Sequence, residues 1–130
     1  MNLVNLIFIM QKSKYIWFNG KFVPWNSAKT HVLSHGLHYG SGIFEGIRAY
    51  SNKTNTFIFR LEDHYKRFYN SAKVAMIKIP YSKKVLEDAT IKLLKKNNLK
   101  DCYIRPLAFI GDGAIGINPA NNKINVIIAA

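Results

Sequence analysis

The sequence predicts an α+β fold, a mainly antiparallel sheet with two helices, on three observations. Short β-prone runs are joined by turn residues closely enough to form hairpins, at YIWFNGKFVPW and again at GIFEGIRAYSNKTNTFIFR. From Leu61 the apolar period lengthens to three or four, as on an amphipathic helix. Strand-like runs then return in CYIRPLAFI and INVIIAA. At 130 residues, 48% of them hydrophobic, the chain has the size of one domain with a real core.

The head of the chain, MNLVNLIFIMQKSKY, carries an apolar patch from Leu3 to Met10 broken at Asn5. It is too short to span a bilayer and has no basic residue ahead of it, so it reads as neither a membrane helix nor a secretory signal. Residues 1–14 are expected outside the fold, and a cytoplasmic, non-membrane protein is expected. Asn19-Gly20 then supplies both positive-φ positions of a type I′ turn, which places a hairpin at Tyr15 to Pro24. The glycine-rich HVLSHGLHYGSG follows. GIFEGIRAY alternates as one strand, SNKTN turns, and TFIFR returns.

Leu61, Tyr65, Phe68, Ala72 and Ala75 mark the buried stripe of the first helix, expected to run to Ile79-Pro80 because a proline pushes the residue before it out of the helical region. Ser82 is the expected N-cap of a second helix that buries Val85, Leu86, Ala89 and Leu93. Lys92, Lys95 and Lys96 suit the negative end of its dipole, and Asn97-Asn98 can stop it. CYIRPLAFI is a strand, GDGAIGINPANN a long loop and INVIIAA a strand of buried type. Because that strand runs to Ala130 without a polar stop, the chain is expected to continue in a longer protein.

Nineteen basic residues against seven acidic ones give a net charge of +12. Such an excess suits an anionic partner, but it is mostly scattered lysine, which equally serves solubility. A basic nucleic-acid-binding module needs clustered Arg or Lys and a reader motif; neither is present, so no nucleic acid is expected. The single cysteine, Cys102, rules out an internal disulfide and reads as a structural thiol. There is no CxxC, no HExxH and no P-loop lysine, and His35 with His38 make a poor zinc pair, so no metal is expected. By spacing alone, the cluster of Gly36, Gly40, Gly42 and Gly46 either lines a pocket or packs backbones closely.

Taken in order, YIWFNGKFVPW, HGLHYGSGIFEGIRAY, RLEDHYKRFYNSA and YIRPLAFIGDGAIGINP resemble the N-terminal domain of a branched-chain amino acid aminotransferase, a pyridoxal-phosphate enzyme of fold type IV. The resemblance runs from about Tyr15 to Ala130. It implies pyridoxal 5'-phosphate as cofactor, with Arg67 of an HxxR motif on the phosphate. It implies that Tyr103 meets the substrate α-carboxylate and Arg105 the distal carboxylate of glutamate, with Phe44 as an apolar wall and Gly46 as a backbone contact. Tyr39, Ile115 and Ile117 match residues lent across a homodimer or higher homo-oligomer. The substrates implied are leucine, isoleucine, valine, glutamate and their 2-oxo acids. The Schiff-base lysine and the acid on the pyridinium nitrogen belong, in this family, to a second domain, so no catalytic lysine is assigned here and the chain alone is expected to be inactive. D-amino acid aminotransferase and aminodeoxychorismate lyase share the fold type and stand as alternatives; YIRPL and HGLHYG favour the branched-chain reading.

Overall fold

The computed structural model describes residues 12–130; residues 1–11, which include the apolar head, lie outside the described residues. Strands β1 (Tyr15–Phe18) and β2 (Lys21–Pro24) form the expected hairpin, with Trp17 opposite Phe22 and Phe18 opposite Lys21. Asn19 and Gly20 turn it at φ of 48° and 90°. A 3-10 turn at Trp25–Ser27 leads toward α1 (His35–Tyr39), a short helix that the glycines of HGLHYG hid from the sequence reading. Three α-helices are therefore described where two were expected.

GIFEGIRAY is not one strand. It forms β3 (Gly42–Phe44) and β4 (Ile47–Ser51), both antiparallel to β6 (Cys102–Ile110) in one unbroken register, Phe44 opposite Leu107 and Ile47 opposite Ile104. The break has a physical cause: the Glu45 N–H donates to the Pro106 carbonyl at 3.0 Å, but proline has no N–H to return. β5 (Thr56–Ile58) flanks β4, and β7 (Ile124–Ala129) joins β6 to β1. The sheet runs β2-β1-β7-β6-β4-β5, with β3 also on β6, and every pairing is antiparallel.

Helices α2 (Leu61–Val74) and α3 (Lys83–Lys96) pack against one another, Tyr65 Oη meeting Thr90 Oγ1 at 2.7 Å in the buried interface. With the sheet they enclose a core that includes Trp17, Ile47, Phe68, Leu86, Ile104 and Ile128. Helix α2, expected to run to Ile79-Pro80, stops earlier than Pro80 requires. Its last turn closes as the Met76 N–H bonds the Lys73 carbonyl and the Ile77 N–H bonds the Ala72 carbonyl, a Schellman ending with Met76 at φ 55°. Burial of Ile77 decides the point: leaving the helix there turns its side chain into the core, where it is 4% exposed.

Ser82 caps α3 as expected, accepting from the Val85 N–H at 3.3 Å, but Val85 is 45% exposed, and Thr90 and Leu94 join the buried face. Asn97 and Asn98 end the helix in a second Schellman turn, the Leu99 N–H bonding the Leu94 carbonyl. The Asn97 amide also exchanges two 2.9 Å hydrogen bonds with the Tyr15 backbone, fixing the end of α3 to the start of β1. Among the described residues no helix is long and apolar enough to cross a membrane.

Met76, 90% exposed and left-handed, holds its helix end against its own Cβ. Met76→Gly should therefore stabilise the protein by about 1 kcal/mol in a denaturant titration. Ile77→Ala should destabilise it by about 2–4 kcal/mol, because Ile77 supplies the buried contact that the turn serves.

Candidate active site

The sheet has two unlike faces. Ile43, Glu45, Ile47 and Ala49 share a side with Ile104, Pro106 and Ala108, and this side meets α2 and α3. Phe44, Gly46 and Arg48 therefore point the other way, beside Tyr103, Arg105 and Leu107 across the same register. Here the side chains stay accessible: Phe44 is 60% and Tyr103 43% exposed. Four of the residues singled out from the sequence, Phe44, Gly46, Tyr103 and Arg105, come together on this face.

Their contacts are specific. The Arg105 guanidinium stacks 4.3 Å above the Phe44 ring, and its Nη2 donates to the Tyr103 hydroxyl oxygen at 2.7 Å. Once that oxygen accepts from a cation, its own hydrogen is free to be donated outward. Gly46 lies under the Tyr103 hydroxyl, where any Cβ would collide with the phenol. The glycine thus leaves room for the phenol to cross its backbone, and a larger residue would displace the ring. The arrangement offers a fixed cation, a fixed hydroxyl donor and an aromatic wall within one small area, a set suited to an anionic group attached to an apolar one.

Arg67 lies on α2, and Glu45 connects it to the sheet. The Glu45 side chain is 2% exposed; its Oε1 accepts from Arg67 Nε at 2.6 Å, and its Oε2 from Arg67 Nη2 at 2.7 Å and His64 Nδ1 at 2.9 Å. Burial works to raise the carboxyl, but the hydrogen bonds and charges of Arg67 and His64 outweigh it and hold Glu45 below the ordinary carboxylate range. The carboxylate engages only one edge of the guanidinium. Arg67 is 67% exposed, and no acceptor among the described residues meets Nη1, so its outer edge faces a cleft of about 330 Å³ lined by Phe59, Arg60, Asp63, His64 and Arg67. A guanidinium locked along one edge and open along the other can take an oxyanion in a set orientation.

The remaining residues stand apart from these two groups. Tyr39, on α1, is 51% exposed, its ring 4.4 Å from that of His35. Ile115 and Ile117 are 66% and 86% exposed on the loop between β6 and β7. His35 bonds Ser41 Oγ through Nδ1, and His38 bonds the Val32 carbonyl through Nε2. Cys102 is half-buried on β6, and burial pushes its thiol above the ordinary range. Glu45 escaped the sequence reading, although a signal was present. It has the same parity as Ile43, Ile47 and Ala49, so a carboxylate had to be buried and needed cationic partners.

A family model described as amino-transferase class IV matches residues 42–130. A branched-chain-amino-acid aminotransferase of Pseudomonas aeruginosa is 46% identical over 115 residues, 88% of this chain and 38% of that protein. One of Escherichia coli is 46% identical over 121 residues, 92% of this chain and 39% of that protein. Among solved structures, the Escherichia coli enzyme superposes with a TM-score of 0.87 over 91% of this chain and 39% of the other, at 46% identity. Another solved branched-chain amino acid aminotransferase, complexed with N-(5'-phosphopyridoxyl)-L-glutamate, gives 0.86 at 51% identity, covering 90% of this chain and 40% of the other. The chain thus spans about two fifths of the curated relatives it matches.

The carboxylate pair makes stability depend on pH with a definite sign. Glu45 has a lower pKa folded than unfolded, so its contribution is complete above the ordinary value of 4.5 and is lost as pH falls through the lowered folded value. In urea titrations across this range, Glu45→Gln should flatten the acid limb. At neutral pH it should cost about 1–2 kcal/mol, the exposure of Arg67 screening the rest.

Proposed function

The chain belongs to the class IV aminotransferases, and from that premise we propose that the protein it forms part of transaminates branched-chain L-amino acids with 2-oxoglutarate, using pyridoxal 5'-phosphate. The observation that carries the reading is Arg105 lying on the Phe44 ring. A transaminase of this kind must seat a leucine-like side chain and a glutamate side chain in one pocket. An aromatic wall capped by a guanidinium serves both: the ring contacts the aliphatic chain, and the cation pairs with the distal carboxylate only when one is there. Tyr103, its hydroxyl oriented by Arg105, donates to the substrate α-carboxylate, and Gly46 lets the substrate approach the backbone.

Arg67 fits a phosphate-bearing cofactor, because Glu45 fixes the guanidinium through Nε and Nη2 and leaves the other edge for phosphate oxygens. Pyridoxal phosphate, when bound, supplies the electron sink for amino-group exchange. No lysine of this chain is assigned to carry it; that lysine belongs to a second domain. Tyr39, Ile115 and Ile117 complete the wall of a neighbouring subunit's pocket in a homodimer or larger homo-oligomer. Residues 15–130 make up the N-terminal domain of this protein, residues 1–14 precede it, and the protein works in the cytoplasm.

In the complete enzyme, Arg105→Ala should raise KM for glutamate and 2-oxoglutarate by about 10- to 100-fold, and KM for leucine far less, since only the acidic pair loses a charge-assisted contact. A uniform rise for all three would overturn the role of Arg105. Arg67→Ala should weaken retention of the cofactor in dialysis much more than Lys66→Ala; equal, small losses would remove Arg67 from the phosphate site.

A further inference from the structure

The loop from Gly111 to Lys123 holds two large apolar side chains, Ile115 and Ile117, in water. An exposed loop with no core beneath it ordinarily takes many conformations. This one is closed by backbone hydrogen bonds and braced across its middle by one side chain. Asn122 Nδ2 donates to the Gly111 carbonyl at 3.1 Å and to the Ala114 carbonyl at 3.3 Å, while its Oδ1 accepts from the Ala114 N–H at 3.0 Å. Ala114 is therefore pinned through both its N–H and its C=O, and Ile115 is the next residue.

The Gly111 carbonyl has a second donor. The His35 N–H, at the start of α1, reaches it at 3.1 Å, while the Gly111 N–H bonds the Lys123 carbonyl at 2.7 Å and closes the loop. Helix α1 carries Tyr39, and the loop carries Ile115 and Ile117. Both segments thus hang from one carbonyl oxygen at the end of β6, and the Asn122 amide sets the loop's position relative to it.

We infer that Asn122 is a positioning residue for substrate specificity: through Gly111 and Ala114 it holds the Ile115 and Ile117 loop in register with Tyr39, so that the three present one apolar wall. The inference rests on the proposed function, in which these residues line a pocket for branched side chains. Asn122 touches no reacting atom. Its effect is on substrates bound through apolar contact, and glutamate, held by its distal carboxylate, depends on it less.

The test uses the complete enzyme with Asn122→Ala and Asn122→Asp, the latter keeping the acceptor for Ala114 and losing both donated bonds. Asn122→Ala should raise KM for leucine about tenfold, with kcat and KM for glutamate changing by less than about twofold, and Asn122→Asp, which sets a carboxylate oxygen against the Gly111 and Ala114 carbonyls, should raise KM for leucine at least as much. Amide exchange at Ala114 should be slowed in the unsubstituted protein and fast in Asn122→Ala. Equal changes in KM for leucine and glutamate, no change in either, or an Ala114 amide already unprotected would overturn the inference while leaving the proposed function intact. Absence of leucine turnover in the unsubstituted enzyme would overturn both.

Discussion

The buried carboxylate of Glu45 is the constraint on which the rest of this architecture depends. A nearly fully buried charge has to be neutralised locally, and here the cation of Arg67 and a hydrogen bond from His64 come from one turn of one helix. The α2 helix is thereby fixed in rotation as well as position, because both side chains must point at the same two oxygens. The adjoining helix face buries Tyr65, Phe68 and Ala72, so the polar and apolar demands on α2 are compatible with one orientation. Glu45 also sits between Phe44 and Gly46, which point to the opposite side of the sheet. One residue thus joins the arginine of the cleft to the aromatic and guanidinium cluster of the other face.

Pro106 makes this arrangement possible. In an ordinary antiparallel pair, a proline on an inner strand would forfeit a ladder bond. Opposite Glu45 the forfeited bond interrupts the strand where the carboxylate leaves the sheet for α2, and the register on either side is unaffected. Proline also stiffens the strand between Arg105 and Leu107, both on the accessible face. That face is organised by stacking. Arg105 lies over Phe44 and bonds Tyr103, and Gly46 gives the phenol room to cross the backbone. A charged group held against a ring pays less to be ordered when a ligand arrives, since its rotamer is already selected.

Much of the molecule was legible along the chain. The type I′ turn at Asn19-Gly20, the Ser82 cap and the Asn97-Asn98 ending are chemistry within a few residues, and each was found where its residues predicted it. That Phe44, Gly46, Tyr103 and Arg105 serve one site could be stated only through a resemblance, and which strands bring them together not at all, because cross-strand partners depend on register, which no single strand contains. Glu45 was visible as a charge at a buried parity, but its partners were not, since His64 and Arg67 approach it only after α2 docks.

What the sequence determined by itself is therefore local: which segments turn, which extend, which of the longer segments wind into helices, and which residue types are at hand for an anionic substrate. Tertiary structure decided where elements stop and which side chains meet. The α2 helix ends at Val74 because Ile77 reaches the core only if the chain turns there, a demand that outweighs the proline six residues after the helix end, at Pro80. The GIFEGIRAY run divides because its partner at the break is Pro106. In each case the deciding energy, a buried side chain or a missing hydrogen-bond donor, lies outside the segment it shapes.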